Sequence, residues 1–125
     1  MIVGRKSNNA VRRIYRNRTQ KAIEFAMMEI KKSKISSYIR HIYLYGSCAR
    51  DEQTYESDVD LFIELDPSFR QVKNKTEVVL EVKERLTKID RSLPDVEIKV
   101  VIGDQWKHEN GLFYQNVKKE GKILC

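Results

Sequence analysis

Asp58 and Asp60 are separated by one apolar residue, Val59, and stand ten residues after the pair Gly46-Ser47. The run continues as Leu61, Phe62, Ile63, Glu64 and Leu65, which reads as a β-strand of period two. Both aspartates then share one face, and Val59, Leu61, Ile63 and Leu65 share the other. Two carboxylates that close repel, so one has its pKa raised unless a cation lies between them. The pair asks for a metal, and oxygen donors of this kind suit a hard divalent cation such as Mg²⁺. Gly46 ends a short β-prone run, His41 to Tyr45. A glycine there lets the backbone approach a ligand closely, while Ser47 adds a hydroxyl and an N–H at the start of the following turn. This is a seat for phosphate. Because Mg²⁺ pairs one or two carboxylates with substrate phosphates, seat and acid pair together predict a nucleoside triphosphate as ligand. A third acid on an adjacent strand, with Glu97 as the candidate, would complete a site for two ions that stabilises attacking and leaving oxygens. Asp95 has the same parity as Glu97, and parity alone does not separate them.

These residues need a scaffold that brings two strands and a turn together. The spacing of Val11, Ile14, Thr19, Ile23, Ala26, Met27 and Ile30 predicts an apolar helical stripe from about Asn8 to Ser33, with a break at Asn17 to Thr19 left open and the first seven residues loose. A strand from His41 to Tyr45 runs into the Gly-Ser turn, and the Asp58 to Leu65 strand is stopped by Asp66-Pro67-Ser68. Val72, Val79, Val82, Leu86 and Ile89 space out a helix of about twenty residues that Leu93-Pro94 ends. Asp95 to Ile102 alternates again as a strand, Gly103-Asp104 turns the chain, and Leu112, Phe113 and Val117 predict a short helix capped by Gly121 before the apolar end Lys122-Ile123-Leu124-Cys125. The order predicts an α+β fold, a small mixed sheet flanked by helices that pack on one side.

With 125 residues and 41% hydrophobic residues the chain is sized for one domain, 1–125, comprising the N-terminal helix or helices (about 8–33) and a catalytic core (41–125). No run approaches a membrane span, and Cys48 and Cys125 make neither a disulfide framework nor a metal-ligand spacing, so a cytoplasmic protein with free thiols is expected. Residues 1–40 hold eleven Lys/Arg and two Glu, whereas residues 41–125 hold thirteen Lys/Arg and sixteen Asp/Glu. The basic excess is thus N-terminal. It fits a solvated helix face better than a nucleic-acid surface, since it lacks the aromatic interleaving of single-strand binders.

Gly46-Ser47, ten residues and Asp58-Val59-Asp60 resemble the G-S-x10-D-x-D signature of the nucleotidyltransferase superfamily with the DNA polymerase β-like fold, and most resemble its minimal nucleotidyltransferases (MNT). Gly-Ser-Cys-Ala-Arg and Ser-Asp-Val-Asp-Leu are similar to the family's two motifs, and the ending from Phe113 to Cys125 is similar to its closing helix, Glu-Gly and apolar tail. Asp51 stands where many relatives have Gly, and Glu97 where Asp is frequent. The resemblance implies transfer of AMP from ATP to a hydroxyl acceptor with release of pyrophosphate. Gly46 and Ser47 would hold the β,γ-phosphates, Asp58 and Asp60 two Mg²⁺ ions, and Glu97 a metal ligand's place beside the attacking hydroxyl, which it would help deprotonate. It further implies an antitoxin whose partner is a small helical HEPN-domain toxin, in some relatives adenylylated on a tyrosine. Two other readings stay open: an antitoxin-like module that binds without catalysis, and an antibiotic-type transferase acting on a small molecule.

Among the remaining residues, Arg50 is placed either on the triphosphate or in an ion pair with Asp58, and Lys99 either beside the acids or on a phosphate. Tyr43 and Tyr45 are expected to pack within their strand, although their parity allows one to line the nucleotide pocket. His41 and His108 lack ligand spacing and are assigned to the surface. Ser57 is expected to hydrogen-bond near the strand start.

Overall fold

The structure is a computed structural model describing residues 2–125, with side chains described from residue 9 onward. It contains helix α1 (Ile2–Lys32), strands β1 (Ile39–Tyr45) and β2 (Val59–Leu65), helix α2 (Lys75–Leu86), strand β3 (Val96–Ile102), helix α3 (Leu112–Glu120) and the two-residue strand β4 (Lys122–Ile123). The sheet order is β3-β2-β1-β4; β1 runs antiparallel to both neighbours, and β2 and β3 are parallel. The α+β class and the mixed sheet are as the sequence predicts.

α1 is one helix without a break at Asn17 to Thr19, and it begins at Ile2, where the sequence predicts seven loose residues and a helix start near Asn8. Its stripe is buried from Thr19 onward, through Ala22, Ile23, Ala26 and Ile30, whereas Val11 and Ile14 are exposed. α2 is shorter than predicted. Asp66 accepts a hydrogen bond from the Ser68 N–H (2.9 Å) and starts a 3-10 turn over Pro67–Gln71, after which Val72 is extended, so the helix begins only at Lys75. The C-terminal apolar end is a strand too short for periodicity to reveal, held on β1 by the Leu124 N–H donating to the Ile42 carbonyl at 2.7 Å.

One-sided packing is the expectation that the structure corrects. Val59, Leu61, Ile63 and Leu65 of β2 face the core shared with α1 and α2 and are wholly buried. The opposite face is also covered, because Phe62 is wholly buried against Trp106 and Val117, with Tyr43, Tyr45, Phe113 and Tyr114 packed around them. Phe62 and Trp106 have ring centroids 4.7 Å apart. A single aromatic residue on the polar side of an alternating strand leaves little trace in its periodicity, yet each aromatic side chain carries a large area to bury.

The same face buries a carboxylate. Glu64 is 1% exposed and accepts a hydrogen bond from the Trp106 indole N–H at 2.6 Å, with Lys107 Nζ at 4.0 Å. A buried polar group is costly only when its partner is lost. Trp106→Phe is therefore expected to lower stability by about 1–3 kcal/mol, and adding Glu64→Leu to it is expected to recover much of the loss, as read by urea unfolding.

Candidate active site

The Gly-Ser turn leaves β1 at Gly46 with φ +77°, a conformation glycine adopts without the Cβ penalty. A Cβ built there would lie 2.6 Å from Asp60 Oδ2, so the missing side chain is also what leaves room for the carboxylate. The turn closes on itself: the N–H groups of Ala49 and Arg50 donate to the Gly46 carbonyl, and that of Glu52 to the Ser47 carbonyl at 2.8 Å. Asp51, at the position where glycine is frequent in the resembling family, has φ +58°. Aspartate is among the few residues that tolerate this region, which explains how the departure from glycine is accommodated.

Asp58 precedes β2 and Asp60 is its second residue, opposite Tyr45 on β1 and level with Glu97 on β3. Neighbours in register share a face, so Glu97 stands beside Asp60. Asp95 lies one step ahead of β3, where its carbonyl accepts from the Val59 N–H at 2.8 Å. Of the two candidates for a third acid, Glu97 is the one level with Asp60. Burial, followed by the charges of Glu97 and Asp58, pushes the Asp60 carboxyl up to about 6. Burial and the charges of Asp60 and Glu97 push the Tyr45 phenol up to about 12.

An electrostatically strained set of oxygen donors fits a hard divalent cation. Among the described residues no three such side chains close into a ready-made cage. Mg²⁺ sites commonly use one or two carboxylates and complete their shell with phosphate and water oxygens.

Other expectations resolve differently. Arg50 does not pair with Asp58; its guanidinium donates to Glu120 (2.9 Å) and Glu52 (3.2 Å), tying the turn to the end of α3. Lys99 Nζ lies 4.5 Å from the Phe113 ring centroid and 5.5 Å from that of Tyr114, so α3 aromatics draw it away from the acids. Tyr45 packs edge-to-face on Phe113 at 5.2 Å. Ser57 accepts from the Thr54 N–H at 2.9 Å, the local role expected. His108 is exposed, but His41 is half-buried on β1. Both cysteines are free, Cys48 buried and Cys125 exposed.

The contribution of α1 to this region escapes sequence reasoning. Arg16 Nε donates to Asp51 Oδ1 (3.0 Å), and Arg18 donates to the carbonyls of Ser92 (3.0 Å) and Tyr55 (3.2 Å) while lying 4.3 Å from the Tyr55 ring centroid. Thr19 Oγ1 meets Cys48 Sγ at 3.9 Å, and Cys48 in turn donates to the Asp58 carbonyl at 3.4 Å. One turn of helix thereby reaches both ends of the segment that links the two motifs. The only signal in the sequence is the Arg-rich stretch itself.

Two outcomes test this geometry. Because the folded Asp60 binds its proton more tightly than the unfolded chain does, its contribution lowers stability as pH rises from about 4 to about 6. Asp60→Asn is therefore expected to raise the melting temperature relative to the wild type at pH 8 and to lose that advantage below pH 4. Gly46→Ala forces a left-handed Cβ into the Asp60 carboxylate and is expected to cost at least about 1–2 kcal/mol in denaturant unfolding.

Comparison with known proteins agrees with the fold. The family described as polymerase beta, nucleotidyltransferase matches residues 18–125. A solved structure from Sulfolobus solfataricus, titled a candidate nucleotidyltransferase, is similar at a TM-score of 0.54 and 14% identity, covering 86% of this chain and 82% of that one. At that identity the likeness speaks for the fold alone. No curated protein matches the chain. The family match takes in the buried half of α1 and every element after it, and the chain belongs to the polymerase β nucleotidyltransferase family.

Proposed function

We propose that the protein transfers AMP from ATP to a hydroxyl on a partner protein, releasing pyrophosphate. The observation that carries this reading is the Gly46-Ser47 turn set directly against Asp60, with Glu97 level on the next strand. The turn offers backbone and hydroxyl donors to phosphate oxygens. Asp58, Asp60 and Glu97 would hold Mg²⁺, which would neutralise charge on the phosphates. Glu97, exposed at the strand edge, takes the proton of the acceptor hydroxyl as its oxygen bonds to the α-phosphorus and the bond to pyrophosphate breaks. Positioning and charge complementarity supply most of the rate.

A protein acceptor is favoured by size. One small sheet carries the acid face, the acids lie at its end, and this domain by itself has little mass left with which to enclose a second substrate beside a triphosphate. The family resemblance suggests a small helical HEPN-type toxin as that partner, with a tyrosine as the acceptor, which makes this protein an adenylylating antitoxin. Inhibition by occlusion without catalysis is the alternative if the acid face is unused. Modification of a small molecule is the alternative if the acceptor pocket comes from another subunit.

Mass spectrometry separates these outcomes. Incubation of the protein with ATP, Mg²⁺ and the protein encoded beside it is expected to add AMP to a tyrosine of that partner, and Asp58→Asn with Asp60→Asn is expected to abolish the addition. A bound, inhibited but unmodified partner would establish occlusion, and AMP found on an aminoglycoside instead would establish the small-molecule reading.

A further inference from the structure

Among the described residues three polar side chains are buried: Thr19, Ser33 and Glu64. Two of them have a plain structural partner, since Ser33 donates to the Ile30 carbonyl at the end of α1 and Glu64 is held by the Trp106 indole. Thr19 differs. A helical threonine can turn its hydroxyl back onto a carbonyl one turn earlier, but Thr19 Oγ1 leaves the helix and meets Cys48 Sγ on the Gly-Ser turn at 3.9 Å. Both residues are at most 6% exposed.

The thiol passes this contact on, because Cys48 Sγ donates to the Asp58 carbonyl at 3.4 Å. A thiol has one proton. With that proton given to Asp58, the Thr19 hydroxyl is the donor to the sulfur, and the relay runs from Thr19 through Cys48 to Asp58. The sheet explains why a side chain is needed there. The β1 ladder ends at the pair Tyr45 and Asp60, and Gly46 then turns the chain away at φ +77°, so no strand backbone faces Asp58 on that side. On the other side the Val59 N–H, which belongs to the same peptide unit as the Asp58 carbonyl, donates to the Asp95 carbonyl at 2.8 Å. That peptide plane is held from both directions, by a carbonyl just ahead of β3 and by the thiol.

We propose that Thr19 and Cys48 are positioning residues that fix the peptide unit between Asp58 and Val59, and so hold the Asp58 carboxylate at the distance from the Gly-Ser turn that Mg²⁺ and a triphosphate require. The inference rests on the reading of Asp58 as a Mg²⁺ ligand. Cys48 stands on the turn, and Asp58 follows at the far end of the excursion between β1 and β2, so the thiol is a direct cross-link between the two halves of the site. Arg16 and Arg18 bear on the exposed outside of that excursion, whereas the relay lies on its buried inside. A role confined to filling the core has a different consequence. Thr19→Val keeps the shape and drops only the hydroxyl, and it would then leave metal binding unmoved.

The test titrates Mg²⁺ into the whole protein with ATP by calorimetry, and reads the Asp58 carbonyl ¹³C shift and the Val59 amide exchange on the protein without metal. Thr19→Val and Cys48→Ala are each expected to raise the Mg²⁺ concentration at half-saturation about two- to fivefold, the range a weak S–H donor supplies. Both are expected to move the Asp58 carbonyl shift and to speed Val59 exchange, while the amides of α2 and α3 keep their shifts and report an intact fold. Thr19→Ser retains the hydroxyl and is expected to follow the wild type. An unchanged half-saturation in Thr19→Val and Cys48→Ala, an unmoved Asp58 carbonyl, or a Thr19→Ser as impaired as Thr19→Val would overturn the proposal and leave the transfer reading standing. A wild type that binds ATP equally well with and without Mg²⁺ would overturn both.

Discussion

Asp60 occupies the place where three pieces of backbone converge: Tyr45 lies across from it on β1, Glu97 lies level with it on β3, and Gly46 has no side chain to contest its carboxylate. The carboxyl is held half-buried beside two other acids, a position that costs free energy while the group is ionised and uncompensated. Strain of this kind persists only where the surroundings over-determine it. Here the surroundings are the centre of the sheet. β2 is buried on both faces and hydrogen-bonded on both sides, so Asp60 cannot retreat without breaking the best-packed strand in the protein.

That rigidity comes from an unequal division of labour between the two faces of the sheet. One face is aliphatic and carries α1 and α2, whereas the other holds an aromatic cluster beneath α3 with a carboxylate at each end. The two carboxylates are treated in opposite ways. Glu64 is sealed in and satisfied by the Trp106 indole, while Asp60 is left among like charges at the rim. Paired burial of polar groups supports structure, and unpaired charge at an accessible edge is what binds cations and anionic phosphates together.

Charge on α1 takes on a different meaning once the helix is seen against the sheet. Its basic residues are not only a solvated face. Arg16 and Arg18 reach across to Asp51 and Tyr55, in the segment between the Gly-Ser turn and Asp58, and Arg18 also reaches Ser92 in the loop before β3. Exposed contacts of this kind contribute little stability individually. Their common effect is geometric, since Asp51 and Tyr55 lie on the excursion of the chain between β1 and β2 and Arg18 also ties it to Ser92 in the loop before β3.

The sequence by itself determined the parts that depend on local pattern. Alternation marks β2 and β3, the stripe from Thr19 to Ile30 marks the buried half of α1, and Asp58 and Asp60 fall on one face of their strand, because side-chain direction follows backbone period within a single element. Only the tertiary structure decided which elements become neighbours. It placed Glu97 rather than Asp95 level with Asp60, gave Arg50 to Glu120, turned Lys99 toward Phe113, and covered the second face of β2 through Trp106 and α3. These are pairings between residues tens of positions apart. Strand order, register and the packing of aromatic side chains set them, and no period within one segment carries that information.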